Sequence, residues 1–321
     1  MRILVCGGHG FIGNNITYKL MQQGHDVAVV DNHNNYGETP NWEYNSVMSS
    51  RLNHIGTHTF YTVDVTSAVA LDNIFKKCNP EIVIYLATYP NARMVKRNVV
   101  DATHNMVGAV ATTLDLCVKY KIKRFVMASS SMVYGDFGEA APVETINCNP
   151  LTLYGSYKLQ GEQMCKIWHK EHGLEYTLLR PSAIYGVRDV IVRAISKMTV
   201  NALTTKTIKV IGVNNRLDFT WVEDVADGFI TAAFAPEAAN EIYNCTRGYG
   251  RSLREAAELV ARRVPAEIIE LPADNFYPNR DTLNSDKLKA LGWNPSVDIE
   301  EGVNRYLDWF LAQPFIDKLK P

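Results

Sequence analysis

The stretch Arg2-Ile-Leu-Val-Cys-Gly7-Gly8-His9-Gly10-Phe11-Ile12-Gly13 decides the fold. An apolar run of strand length feeds a cluster of glycines, and a helical pattern follows over about 11–23. Gly7 permits a tight turn, Gly10 lets the backbone approach a bulky anion, and Gly13 lets a helix pack closely on the strand. The helix start then presents unpaired N–H groups and a positive dipole end to phosphates. Glycine clusters are commonly plain turns, so the strand before and the helix after carry the reading of a dinucleotide-binding loop. Its candidate contacts are Gly7, Gly10, Phe11, Ile12 and Gly13.

Further along, short apolar runs alternate with helical patterns, the rhythm of βαβ units and a parallel sheet. Strands are expected at Arg2–Val5, Asp26–Val30, Thr59–Thr62, Ile82–Leu86, Arg124–Ala128 and Glu175–Leu179, with helices near 11–23, 67–77, 98–120 and 153–172. The strands read as buried-type runs rather than alternating ones, as expected of strands covered on both faces. After Arg180–Pro181 the alternation weakens and polar loops enter at Asn214–Asn215 and Pro272–Arg280. The expected architecture is an α/β, Rossmann-type doubly wound parallel sheet over 1–180, with 218–262 returning to it. A smaller C-terminal substrate-binding cap is expected from 181–217 and 263–321.

The second strand ends in Asp31, eighteen residues beyond Gly13, followed by Asn32 rather than arginine. A carboxylate there accepts hydrogen bonds from the adenosine ribose and repels a 2′-phosphate, which favours NAD over NADP. Asp64 and Val65, after the third strand, are placed to meet the adenine.

Tyr154 and Lys158 stand at i and i+4 on an expected helix, hence on one face. A tyrosine titrating at about 10 is a poor base, and bringing it to neutrality takes roughly 4 kcal/mol of differential stabilisation. A neighbouring ammonium and a cationic cofactor ring favour the phenolate. Tyr154 is the chain's single tyrosine with lysine at i+4. The run Ser129-Ser130-Ser131-Met132-Val133-Tyr134-Gly135 follows the fifth strand, where open parallel sheets bind ligands beyond strand carboxyl ends.

The glycine pattern, this serine segment and Tyr154-x-x-x-Lys158 together resemble the extended short-chain dehydrogenase/reductase family over almost the whole chain. The likeness is greatest to its NDP-sugar epimerases and dehydratases, the UDP-glucose 4-epimerase group among them. The resemblance implies Tyr154, Lys158 and Ser130 as catalytic residues, with Ser131 as a substitute hydroxyl. It implies Leu86, Ala87 and Thr88 along the nicotinamide and Asn105 as a helix asparagine supporting the strand near the site. Asp218-Phe-Thr-Trp-Val-x-Asp224-Val-Ala226 resembles the segment that returns to the large domain. Arg280 resembles a diphosphate arginine, and a homodimer is implied by the helix pair near 98–120 and 153–172.

Three departures bear on substrate. Ser131 and Met132 stand where the 4,6-dehydratases carry acids, which disfavours water elimination, and decarboxylases lack their glutamate for the same reason. Ala183 stands where 4-epimerases usually place an asparagine on the diphosphate. Arg216 lies one residue from the usual phosphate arginine. Arg216 and Arg280 remain the candidate diphosphate clamp, since paired guanidiniums suit phosphate.

Bulk properties exclude several classes. A net charge of −1 without basic runs gives no reason to expect nucleic acid or an anionic membrane surface as partner. No apolar stretch approaches membrane-span length. Six scattered cysteines read as reduced core thiols of a cytoplasmic protein. The pairs His54/His58 and His169/His172 are expected to be solvated surface, and no metal is expected. The expected activity is NAD-dependent epimerisation of a nucleotide sugar through a transient keto-sugar, with oxidation at C4. Alternatives are an NDP-sugar dehydrogenase or 4-keto reductase with net redox change, and a non-catalytic NAD-binding protein.

Overall fold

The computed structural model describes residues 1–37, 39–189, 193–273, 276 and 279–319. Pro278 and part of the expected 272–280 loop lie outside the described residues. Seven parallel strands form the main sheet: β1 (Arg2–Cys6), β2 (Asp26–Asp31), β3 (Thr59–Thr62), β4 (Ile82–Tyr85), β5 (Arg124–Ala128), β6 (Tyr176–Pro181) and β11 (Glu241–Cys245). Their spatial order is β3-β2-β1-β4-β5-β6-β11, with Cys6 opposite both Val30 and Tyr85. The chain therefore winds outward in both directions from β1 and β4, and the carboxyl ends of these two strands flank the topological switch point.

Side-chain alternation explains why the strands read as unbroken apolar runs. Ile3, Val5, Ile82, Ile84, Val126 and Ala128 face one layer, against α1 (Gly13–Gln22) and α9 (Val222–Phe234). Leu4, Cys6, Val83, Tyr85, Phe125 and Met127 face the other, against α3 (Ala68–Cys78), α6 (Ala109–Lys119) and α7 (Leu153–His172). Period-two geometry buries both sets.

Two features between these elements differ from expectation. A fifteen-residue helix, α2 (Asn41–Ile55), occupies a stretch with no expected element. The expected helix over 98–120 is divided into α5 (Val99–Thr103), a π-helical turn (His104–Gly108) and α6, preceded by α4 (Ala92–Arg97). Asn98 separates α4 from α5 with φ −130 and ψ 52, outside helical geometry.

The remaining elements build a second core. Strands β7 (Ala183–Tyr185) and β10 (Phe219–Trp221) pair in parallel, as do β8 (Thr207–Ile211) and β13 (Glu267–Leu271). Two-residue strands β9 (Arg216–Leu217) and β12 (Arg251–Ser252) pair antiparallel. Helices α8 (Ala194–Thr205), α10 (Leu253–Arg263) and α12 (Ile299–Leu311) bury Ile195, Ala257, Val260, Val303 and Phe310 together. The short α11 (Asp286–Lys289) packs Leu288 on the large-sheet core. Residues of α10, expected with the large sheet, thus pack in the smaller core, while α9 and β11 join the sheet. No helix among the described residues is long and apolar enough to cross a membrane.

Candidate active site

A cleft of about 250 Å³ opens over the carboxyl ends of β1, β2, β4 and β5. Gly7 forms its floor at φ +79, and a Cβ there would lie 2.8 Å from Ala87 N. At Gly13 a Cβ would lie 2.1 Å from Gly7 O, so the α1 backbone rests directly on the turn. No side chain caps α1 and its first turn holds no acid. The amides of Asn14, Asn15 and Ile16 already bond Gly10 O and Ile12 O, which leaves the turn just ahead of them and the positive helix end to meet an external anion. Asn14 and Asn15 brace the turn by donating to Phe11 O at 2.7 and 3.0 Å.

Phe11 and Ile12 line the cleft, as do Gly10, Asp31, Asn32 and Val65. Asp31 receives the backbone N–H of His9 at 3.1 Å on one oxygen and that of His33 at 2.9 Å on the other. Asp64 does not line the cleft; it accepts from Asn32 Nδ2 at 2.7 Å and from Thr66. Burial pulls its carboxyl upward, but the Thr66 and Asn32 bonds outweigh it and hold the group below its ordinary range. Asp64 thus reaches the cleft through Asn32.

At the opposite end Leu86, Ala87, Thr88, Asn105, Ser130, Tyr154 and Lys158 converge. Thr88 Oγ1 and Asn105 Oδ1 are buried with no hydrogen-bond partner. Buried polar atoms without partners are costly, and two facing one cleft mark where a polar ligand completes the bonding. Asn105 sits in the π-helical turn, which redirects it from the regular helical register.

Lys158 and two arginines surround Tyr154. Lys158 Nζ donates to Ala128 O at 2.8 Å and lies 5.8 Å from the Tyr154 ring centroid. Burial pushes Lys158 down to about 7, against the opposing pull of Glu162. Burial raises Tyr154, while the Ser130 hydroxyl and the guanidiniums of Arg193 and Arg280 favour its ionised form. Arg193 and Arg280 thus add cationic support around Tyr154 beside the nearby Lys158 Nζ.

The expected arginine clamp is not assembled. Arg216 is diverted to Asp281 at 2.8 Å and to the Gly250 carbonyl, and does not line the cleft. Arg280 donates through Nη1 to Ser131 Oγ at 2.9 Å, held there by the backbone bridge between Gly138 and Arg280. Ser131 Oγ in turn donates to Ser182 Oγ at 3.2 Å, and Ser182 lines the cleft.

Sequence reading missed two cleft arginines. Arg51 is a buried residue of α2 whose Nε donates to Arg188 O at 3.0 Å. Arg193 lies over the Phe11 ring at 4.8 Å and pairs with Asp189 at 2.5 Å. Neither Ser49-Ser50-Arg51 nor Val190-Ile191-Val192-Arg193 matches a motif that would have pointed to them. The expectation that His54 and His58 are solvated is also corrected. His54 packs on the Tyr18 ring at 4.2 Å and burial pushes it down to about 4, while His58 bonds His9 at 2.7 Å.

With this geometry established, comparison with known proteins is decisive. Residues 3–246 match the NAD dependent epimerase/dehydratase family. The chain belongs to that family. NAD is accordingly its cofactor, and the amide-lined turn, Asp31 and the unpartnered Thr88 and Asn105 suit such a ligand. Among family relatives, a putative UDP-glucose 4-epimerase of Methanocaldococcus jannaschii is 31% identical, covering 96% of this chain and 97% of the relative. The structure of UDP-glucose 4-epimerase with UDP-glucose from Thermotoga maritima superposes with TM-score 0.87 at 26% identity, covering 97% and 99%. UDP-glucuronic acid 4-epimerase from Bacillus cereus, in complex with UDP-glucuronic acid and NAD, shares the fold at TM-score 0.88 and 22% identity, covering 99% and 100%.

Proposed function

We propose that this family member is a nucleotide-sugar 4-epimerase whose catalytic residues are Tyr154, Lys158 and Ser130. The observation that carries the proposal is the meeting of these three side chains at one end of the NAD cleft. Likeness to 4-epimerases across nearly the whole chain supports it.

Tyr154 takes the proton from the C4 hydroxyl and later returns one. Ser130 hydrogen-bonds the reacting oxygen, and Lys158 holds the nicotinamide ribose and favours the Tyr154 phenolate. When bound, NAD supplies reversible hydride transfer at C4, the sugar passing through a keto state. Gly7, Gly10, Phe11, Ile12 and Gly13 receive the cofactor diphosphate; Asp31 and Asn32 take its ribose, with Asp64 and Val65 towards the adenine. Leu86, Ala87, Thr88 and Asn105 meet the nicotinamide end. Arg280 and Ser131 belong to the substrate side; Arg216, committed to Asp281, serves the cap fold instead. Serine and methionine at 131 and 132 leave elimination without an acid, which favours epimerisation over dehydration.

The proposed domains are an NAD domain of 1–180 joined by 218–245, and a cap of 181–217 and 246–321, supported by the two cores. A cytoplasmic setting is supported by six free cysteines. A homodimer is supported by exposed Val99 and Val100 on α5 and Leu153 and Ile167 on α7. The test is proton NMR of UDP-, GDP-, CDP- and dTDP-sugars with the holoenzyme, with NADH absorbance recorded in parallel. A new 4-epimer without net NADH is expected; stoichiometric NADH with a keto-sugar would replace the proposal by a dehydrogenase.

A further inference from the structure

Three histidines form a hydrogen-bonded file beside the glycine turn. His9 Nδ1 lies 2.7 Å from His33 Nε2, and His9 Nε2 lies 2.7 Å from His58 Nε2. His58 Nδ1 lies 2.7 Å from the Gly56 carbonyl oxygen. A carbonyl accepts and never donates, so His58 carries its proton on Nδ1, and neutral His58 accepts at Nε2. His9 therefore donates from Nε2 and accepts at Nδ1, and His33 donates from Nε2. One carbonyl fixes the tautomer of all three rings. The His9 side chain is fully buried, with Phe60 of β3 against its ring at 5.4 Å, so water offers no alternative partner. Its two nitrogens point to opposite neighbours, so the rings do not converge on one ion.

The file is tied through its backbone to the carboxylate of Asp31 in the cleft. The backbone N–H of His9 and that of His33 each hold one oxygen of Asp31. The residues joined through their rings are the same two that orient Asp31. His33 also sits at φ +54, a conformation that a non-glycine residue keeps only when its surroundings hold it. We propose that the His33–His9–His58 file is a positioning device for Asp31 that makes the hold on bound NAD depend on pH. It rests on the NAD site described above and not on which sugar is turned over.

Proton counting gives the direction. A first proton on His33 Nδ1 leaves every bond in place, because His33 already donates to His9. A second on His58 Nε2 confronts His9 with donors on both sides, and a neutral imidazole accepts on one side only. A proton on His9 itself is opposed by burial and by His33, His58 and Arg51, which push it down to about 3. The charged groups facing the file are Asp31 from the end of β2 and Arg51 from α2. Arg51 Nη1 lies 3.4 Å from His9 O and opposes charge there. With both ends charged, one ring bond breaks and the turn loosens around Asp31.

The test is NAD release from the holoenzyme, followed as free NAD after rapid filtration across pH 5 to 8, where histidine titrates. Release by the native protein is expected to quicken about tenfold toward the acid end, the loss of roughly one hydrogen bond's worth of hold. His58→Gln keeps an acceptor at that place and takes no second proton, so its profile is expected to be flat within about twofold. A flat native profile, or an equally steep one in His58→Gln, would overturn the proposal. Nitrogen NMR of the native histidines gives a second check that needs no variant. At pH 8 the file requires an unprotonated His9 Nδ1 and a protonated Nε2, and the reverse tautomer would contradict it. Sugar turnover enters neither readout, so failure here leaves the proposed reaction standing.

Discussion

Tyr154 and Lys158 occupy one cleft, yet burial acts on them in opposite senses: it raises the phenol and lowers the ammonium to about 7. Tyr154→Phe removes the proton acceptor and keeps the ring, so turnover is expected to fall by about 10²–10⁴-fold while NAD stays bound. Undiminished turnover would remove Tyr154 from the mechanism. For Lys158 the folded value lies below the ordinary lysine range. As pH falls from about 10.5 toward 7, the unfolded chain gains a proton that the folded chain refuses, and stability declines. Lys158→Met removes that slope, so a cofactor-free melting curve at pH 7 is expected at the native temperature or above, with activity lost. A clearly lower melting temperature would show that the buried ammonium is well compensated. Asp31→Asn keeps the shape but loses the charge that ribose hydroxyls bond. NAD affinity is expected to drop about 10–100-fold, measured by calorimetry, the range of a hydrogen bond to a charged group.

Among elements, α7 carries the largest structural obligation. Its Glu162 is fully buried, takes a bidentate bond from Arg180 of β6 at 2.8 and 2.6 Å, and receives Ser129 Oγ at 2.5 Å. Glu162→Gln strands the Arg180 charge, and a loss of about 3–5 kcal/mol in denaturant unfolding is expected. A loss below about 1 kcal/mol would mean the pair is dispensable. The elements also show what sequence can reveal. Contiguous patterns were readable: the apolar strands, the glycine turn, and Tyr154 with Lys158 one helical turn apart. Helix α2 escaped because buried Glu43 and Arg51 break its apolar pattern. The division near 98–108 escaped because a π-turn changes register without needing glycine or proline. The pairing of Arg216 with Asp281 was not legible, since the two lie 65 residues apart. The cap's strands pair over comparably long separations, β8 with β13 above all.

At the scale of the whole molecule, the cap is tied to the cofactor turn through Arg188, which donates to Asn14 Oδ1 at 3.1 Å and Asn15 Oδ1 at 2.9 Å. The same two asparagines donate to the backbone of Phe11, so a hydrogen-bonded chain joins Arg188 to the glycine turn. Ser182, Ile184 and Arg193, from the segment after β6, line the cleft together with Tyr154. In the proposed reaction the hydride removed from a sugar carbon goes back to the same carbon. The most direct measurement uses a UDP-sugar deuterated at C4, incubated with the holoenzyme in ordinary water and followed by NMR. The account predicts a mixture of C4 epimers that retain the deuterium, with no net change in NADH absorbance. Loss of the label to the cofactor pool with stoichiometric NADH change would contradict it.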